Sequence, residues 1–249
     1  MLTPDVDRQQ IALRDAEART YDAWYGQRRW WAQVEMAELI DRLTPESTDV
    51  IADIGCGTGR LVEALAPRVA RIYAFDFSQA SVAVLDAKCV AMPWRARVST
   101  AVADMSQRLD LASASIDKVV SLQAYQHVQP PGRRAALGEF ARILKPGGRL
   151  YLVVYSYPSW VFGPTVPAEG LIADAIYFRR WSRQELHAEL RQAGWQVVGI
   201  HPILCWPQLR RLGDLGAQIE RLVHRWGGPL RYPAYWLAEA TPANVVAAS

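Results

Sequence analysis

Residues Asp53-Ile54-Gly55-Cys56-Gly57-Thr58-Gly59-Arg60 follow the apolar run Val50-Ile51-Ala52 and precede the helix-forming stretch Leu61-Val62-Glu63-Ala64-Leu65-Ala66. An apolar strand that breaks into closely spaced glycines and resumes as a helix lets the backbone pass beneath a ligand, because glycine lacks a Cβ and tolerates positive φ. The helix start adds free N–H groups and partial positive charge for an anionic part of that ligand. The reading is a nucleotide-type binding turn, with an ordinary strand-to-helix connection as its alternative. The glycines run G-x-G-x-G, not the G-x-G-x-x-G of dinucleotide sites; Asp53 stands two positions before the first, and no Gly-Lys-Ser/Thr follows to make a phosphate loop.

A chain of 249 residues suits one α/β domain with appended elements, and an apolar fraction of 51% excludes global disorder. With 28 basic and 25 acidic residues, the net charge of +3 is too mild to mark a nucleic-acid surface. Cys56, Cys89 and Cys205 lie far apart without a C-x-x-C pair, which argues against structural disulfides and against a metal site. The first residues lack a basic segment followed by an apolar run, and no apolar stretch approaches the roughly 20 residues of a membrane span. The expectation is a cytoplasmic protein with no transmembrane segment.

Beyond the glycine turn, Arg71 to Phe77 reads as a second strand, with Ser78 as N-cap of the next helix. Asp76 ends that strand about twenty residues past the turn, where an acid can accept hydrogen bonds from ribose hydroxyls; a helix-cap role is the alternative. Val98 to Met105, containing Asp104, reads as a third strand, and Ile116 to Val128 as a fourth with its loop. The carboxyl ends of parallel strands form the ligand crevice, so Ser121 to His127 should face it. A helix from Arg133 to Leu144 then runs through Lys145-Pro146-Gly147-Gly148 into a strand, Leu150 to Tyr155.

Taken together, residues 50–155 resemble the class I S-adenosylmethionine (SAM) dependent methyltransferases, whose first motif reads much like D-x-G-x-G-x-G and whose post-catalytic helix ends Leu-Lys-Pro-Gly-Gly. The Trp181-Ser182-x-x-Glu185-Leu186 to Ala193-Gly194-Trp195 pattern is similar to the ubiquinone/menaquinone-type small-molecule members. The resemblance implies an α/β, Rossmann-like fold: a seven-stranded, mostly parallel sheet with helices on both faces, an N-terminal helical lid and an inserted cover. It implies one methyltransferase domain, divided into a lid (1–45), a SAM-binding core (46–155), a cover (156–181) and a C-terminal helix and strands (182–249). SAM is the implied cofactor and S-adenosylhomocysteine the product. Asp53, Gly55, Cys56, Gly57 and Thr58 would underlie its amino-acid part. Asp76 and Phe77 would serve the ribose, Asp104 the exocyclic amine and Met105 the ring, with Met105 as core filler equally open. Ser121 and Gln123 would complete the pocket.

Residues Asp7 to Leu43 read as helical, with Gly26 between two helices. The stretch Tyr21-Asp22-Ala23-Trp24-Tyr25 resembles the family's lid, which makes Tyr21, Trp24 and Tyr25 lid candidates; Tyr157 and Trp160 come from the aromatic cover. Ser182 with Glu185 forms a capping box, an amphipathic helix follows around Leu209 to Trp226, and Tyr235 to Ala240 reads as an antiparallel last strand. His127 is the first candidate base, since an imidazole of pKa near 6.5 suits proton removal, and Tyr125 is the second; a structural role for His127 stands beside the catalytic one. The aromatic lid and cover suggest a small apolar or aromatic acceptor. Three alternatives remain open: a tRNA wobble-uridine methyltransferase, suggested by Arg133-Arg134 after a His-containing loop; a catalytically silent SAM-binding module; and an NAD-dependent oxidoreductase. The sequence leaves oligomeric state open.

Overall fold

The computed structural model describes residues 4–27, 29–159, 166–204, 206–225 and 233–243. Helices α1 (Pro4–Glu17), α2 (Tyr21–Gln27) and α3 (Arg29–Leu43) lead into β1 (Val50–Ile54), α4 (Arg60–Leu65), β2 (Arg71–Asp76), α5 (Gln79–Cys89), β3 (Val98–Val102) and β4 (Ile116–Leu122). There follow α6 (Pro130–Ile143), β5 (Leu144–Tyr155), β6 (Glu169–Ile172), β7 (Ile176–Arg179), α7 (Arg183–Gln192), β8 (Trp195–Ile203), α8 (Gly213–Arg225) and β9 (Tyr235–Pro242). Seven strands form one sheet in the order β3-β2-β1-β4-β5-β9-β8. The strands β1 to β5 run parallel, and β9 is antiparallel to both β5 and β8. Strands β6 and β7 make a separate hairpin within the expected cover.

Alternation along the strands sorts the core into two layers. Ile51, Ile72, Val120 and Val153 pack with Leu39 and Leu43 of α3, Val62 and Leu65 of α4 and Leu85 of α5. Ala52, Ile54, Val119 and Leu152 pack with Leu137 and Phe140 of α6 and Leu186 and Leu190 of α7. A parallel sheet covered on both faces must be apolar on both, which is why its strands read as continuous apolar runs. No described helix is long and apolar enough to cross a membrane.

Several boundaries differ from the sequence reading. Three helices, not two, precede β1, and Gly26 lies inside α2. Strand β3 stops at Val102, so Asp104 and Met105 sit in the loop beyond it. Lys145 to Arg149 belong to β5, where only Leu144 pairs with Ile116 before the register shifts. Pro207–Leu212 is a 3-10 turn preceding α8 rather than part of one long helix. The Ser182 capping box and the Ser78 cap are both formed.

The glycine turn is fixed by close approach. Gly55 and Cys56 donate their N–H groups to the Phe75 carbonyl at 2.7 and 2.9 Å, while Gly55 has φ of 79° and a Cβ there would lie 2.1 Å from the Ala124 Cβ. Gly59 (φ 94°) would likewise press a Cβ to 2.2 Å from Leu85 Cδ1. Gly55→Ala therefore suffers both left-handed strain and a clash with a short, immovable methyl. It should lower the unfolding free energy by about 2–4 kcal/mol in urea titrations.

Candidate functional site

The carboxyl ends of β1, β2 and β4 open onto a cavity of about 1310 Å³ lined by Gly55, Gly57, Asp76, Phe77, Asp104, Met105, Gln123 and His127. Helix α1 contributes Gln10, Ile11 and Arg14 to the opposite side, α2 contributes Tyr21, and the hairpin contributes Glu169, Ile172, Ile176 and Tyr177. A smaller cavity of about 30 Å³ adjoins the turn, bounded by Tyr21, Asp53, Cys56, Gly57, Thr58 and Arg60. The larger volume exceeds a usual single-ligand pocket of up to about 1,000 Å³, so it has room for two molecules side by side.

Asp53 is 1% exposed, and neither carboxylate oxygen accepts a hydrogen bond among the described residues. Burial first, then repulsion from Asp76, pushes its pKa up to about 7, and Arg60 opposes the rise. A buried, unpaired carboxylate is costly unless a cation or hydrogen-bond donor is supplied to it. Gly57 beside it has nothing within 4 Å of where a Cβ would stand. This combination fits a ligand with an ammonium group lying over the turn. The expected anion site at the helix start is not formed in that way: α4 has six residues, and the Gly57 N–H already donates to Asp76 Oδ2 at 2.8 Å.

Asp76 also accepts from the Ser78 N–H at 2.9 Å. Its pKa is raised by burial, with those two N–H donors opposing. Asp104, exposed on the cavity rim, accepts from Ser106 N and Oγ, each at 2.8 Å, above buried Met105. Thr58 donates its hydroxyl to Asp22 of α2 at 2.7 Å, and Lys88 ties Asp22 (2.6 Å) to Glu63 (2.9 Å). Cys56 is buried, its thiol pushed well up by burial and by Asp53. Ser121 is fully buried in β4 and does not line the cavity, whereas Gln123 does, with φ of 56°.

The two candidate bases stand in different surroundings. His127 donates from Nδ1 to the Tyr177 carbonyl at 2.8 Å and accepts at Nε2 from Arg14 Nη2 at 3.1 Å. Burial and the Arg14 charge push its pKa down to about 3, so the ring is a neutral bridge whose lone pair is engaged. Tyr125 turns away from the cavity: it stacks on Trp181 at 5.9 Å and donates to Glu189 Oε1 at 2.7 Å. Burial and the Glu189 charge raise its pKa. Tyr157 lies under the Arg180 guanidinium at 5.0 Å and does not line the cavity. Trp160 and the side chains of Trp24 and Tyr25 lie outside the described residues. Of Arg133 and Arg134, the pair behind the tRNA alternative, Arg133 is 7% exposed and bonded inward to Glu189, Tyr177 and the Val128 carbonyl, whereas Arg134 is exposed.

Sequence reasoning passed over Gln10, Arg14, Asp15, Asp22 and Glu35. Gln10 and Arg14 are one helical turn apart and so share a face. Asp15 accepts from Ser78 Oγ at 2.5 Å and Ala80 N at 3.1 Å, docking α1 on the start of α5. Glu35, between apolar Val34 and Met36, is an acid on a buried helix face, which is itself a signal.

Two outcomes follow from these protonation states. Folding raises the Asp53 pKa from 3.8 to about 7, so between those values the folded chain keeps a proton that the unfolded chain has released. Stability therefore falls as pH rises through that window, and Asp53→Asn should exceed the wild type by on the order of 1–3 kcal/mol at pH 8, with the gap closing towards about pH 4. In imidazole nitrogen NMR, His127 should show no titration between about pH 5 and pH 8.

A family model described as a methyltransferase domain matches residues 51–148. A malonyl-(acyl-carrier protein) O-methyltransferase of Hahella chejuensis is 38% identical over 152 residues, 58% of this chain and 49% of that protein. A ubiquinone biosynthesis O-methyltransferase of Alkalilimnicola ehrlichii is 27% identical over 162 residues, 60% of this chain and 63% of that protein. The chain thus spans between about half and just under two thirds of these curated relatives. Among solved structures, the Burkholderia thailandensis 1,6-didemethyltoxoflavin-N1-methyltransferase superposes with a TM-score of 0.67 at 18% identity, over 98% of this chain and 92% of that one. The methyltransferase-domain match thus falls on the stretch that carries β1 to β4, the glycine turn and the start of β5, and the fold around it is the one seen in the superposed methyltransferase structure.

Proposed function

We propose that this protein transfers a methyl group from SAM to a small molecule bound in the same cavity. The observation that carries the reading is the buried Asp53 carboxylate, which has no hydrogen-bond partner among the described residues, beside the open Cβ space of Gly57. SAM supplies an electrophilic methyl on a sulfonium. Asp53 would hold its amino group, Asp76 the ribose hydroxyls, and Asp104 with Met105 the adenine. Tyr21 and Asp22 of α2 would cover the turn as a lid, Asp22 through its hydrogen bond from Thr58.

The acceptor takes the remaining side of the cavity, between α1 and the hairpin. Ile11, Val128, Tyr155, Ile172 and Ile176 make that side largely apolar, which suits a small apolar or aromatic acceptor, as does the name of the ubiquinone biosynthesis relative. His127, neutral and doubly engaged, orients α1 and β7 instead of taking a proton. The chain's contribution to rate is then alignment of nucleophile, methyl and leaving sulfur, with effective molarities reaching about 10⁵ M or more for well-placed reactants.

Calorimetric titration tests the cofactor. SAM and S-adenosylhomocysteine should bind in the micromolar range, and Asp76→Ala should weaken both by at least about tenfold, the scale of a lost charged hydrogen-bond pair. Binding of NAD with no binding of either sulfur ligand overturns the reading.

A further inference from the structure

Asp53 and Arg60 line the same 30 Å³ cavity. A guanidinium beside a buried carboxylate ordinarily forms a bidentate pair with it. Here the Asp53 oxygens accept no hydrogen bond among the described residues, and Arg60 Nη1 lies instead 2.8 Å from Oε2 of Glu35. Glu35 is fully buried on α3, and its other oxygen accepts a hydrogen bond from Gln123 Nε2 at the end of β4. Arg60 pulls on Asp53 less than burial and Asp76 push it, as expected of a cation held by a different acid. The Arg60 cation is thus held against Glu35, and Asp53 is left without a hydrogen-bonded cation among the described residues.

We propose that Glu35 is a positioning residue: it holds Arg60 off Asp53 and so keeps the Asp53 carboxylate available to the cationic group of the ligand. The proposal rests on the cofactor reading above. When Glu35 carries no charge, Arg60 turns to Asp53, and an incoming ammonium must displace a guanidinium. Only ligands that bear the ammonium feel the difference.

The test titrates wild type, Glu35→Gln, and Glu35→Gln with Arg60→Met, using SAM and 5′-methylthioadenosine, which lacks the amino-acid part; thermal unfolding checks each variant's fold. Glu35→Gln should weaken SAM by at least about tenfold while leaving methylthioadenosine within about twofold, and adding Arg60→Met should return SAM to within about threefold of wild type. An unchanged SAM affinity in Glu35→Gln, equal losses for both ligands, or no recovery in the double variant overturns the proposal. If Glu35→Gln alone does not fold, the double variant decides, because replacing both members of a buried ion pair is commonly tolerated. In it, SAM affinity within about threefold of wild type supports the proposal, and a larger loss overturns it. Failure of the wild type to bind SAM overturns the cofactor reading itself, an outcome distinct from a wild type that binds and a Glu35→Gln variant that binds equally well.

Discussion

The site depends on a carboxylate that the fold buries without a hydrogen-bond partner among the described residues. Asp53 ends β1 between two neighbouring parallel strands, with the core layers on both faces complete around it. Leaving such a group ionised in a water-poor interior costs several kcal/mol, and the packed sheet is what makes that cost bearable. The same cost is a selectivity device. A site with an acid that lacks a hydrogen-bonded cation favours a cationic ligand, and repulsion from the neighbouring Asp76 acts on Asp53 in the same direction as its burial.

The elements that complete the site come from outside the part of the chain that matches the family model. Helices α1, α2 and α3 each send an acid to it: Asp15 to the start of α5, Asp22 to Thr58 and Lys88, and Glu35 to Arg60 and Gln123. Each contact joins a residue before position 50 to the glycine turn or to the strand ends beyond it. The strands and the glycine turn therefore supply the platform, and the N-terminal helices bring acids to it.

A second polar network backs the acceptor side. Arg133 of α6 bonds to Glu189 of α7 and to Tyr177 of β7, Glu189 also accepts from Tyr125 and Trp181, and Tyr177 donates to Glu169 of the hairpin. Every member is satisfied by a neighbour, so the network fixes the position of the hairpin against the sheet. It also explains why Tyr125, two residues before His127, has no part in the cavity: its hydroxyl is bonded to Glu189.

Local chemistry made much of this legible in the sequence. The G-x-G-x-G run after an apolar strand, the acids at the ends of β1 and β2, the Ser78 cap and the Ser182 capping box are all short-range signals, and short-range signals survive folding because their partners lie within a few residues. The sequence therefore determined the sheet and the glycine turn. What only the tertiary structure decided is the protonation and partnering of side chains, since these depend on residues far apart in the chain. His127 reads as a base until Arg14, 113 positions away, occupies its free nitrogen, and Glu35 reads as an ordinary helix acid until Gln123, 88 positions away, is folded against it. Burial and long-range charge set those roles, and neither is written in a local pattern.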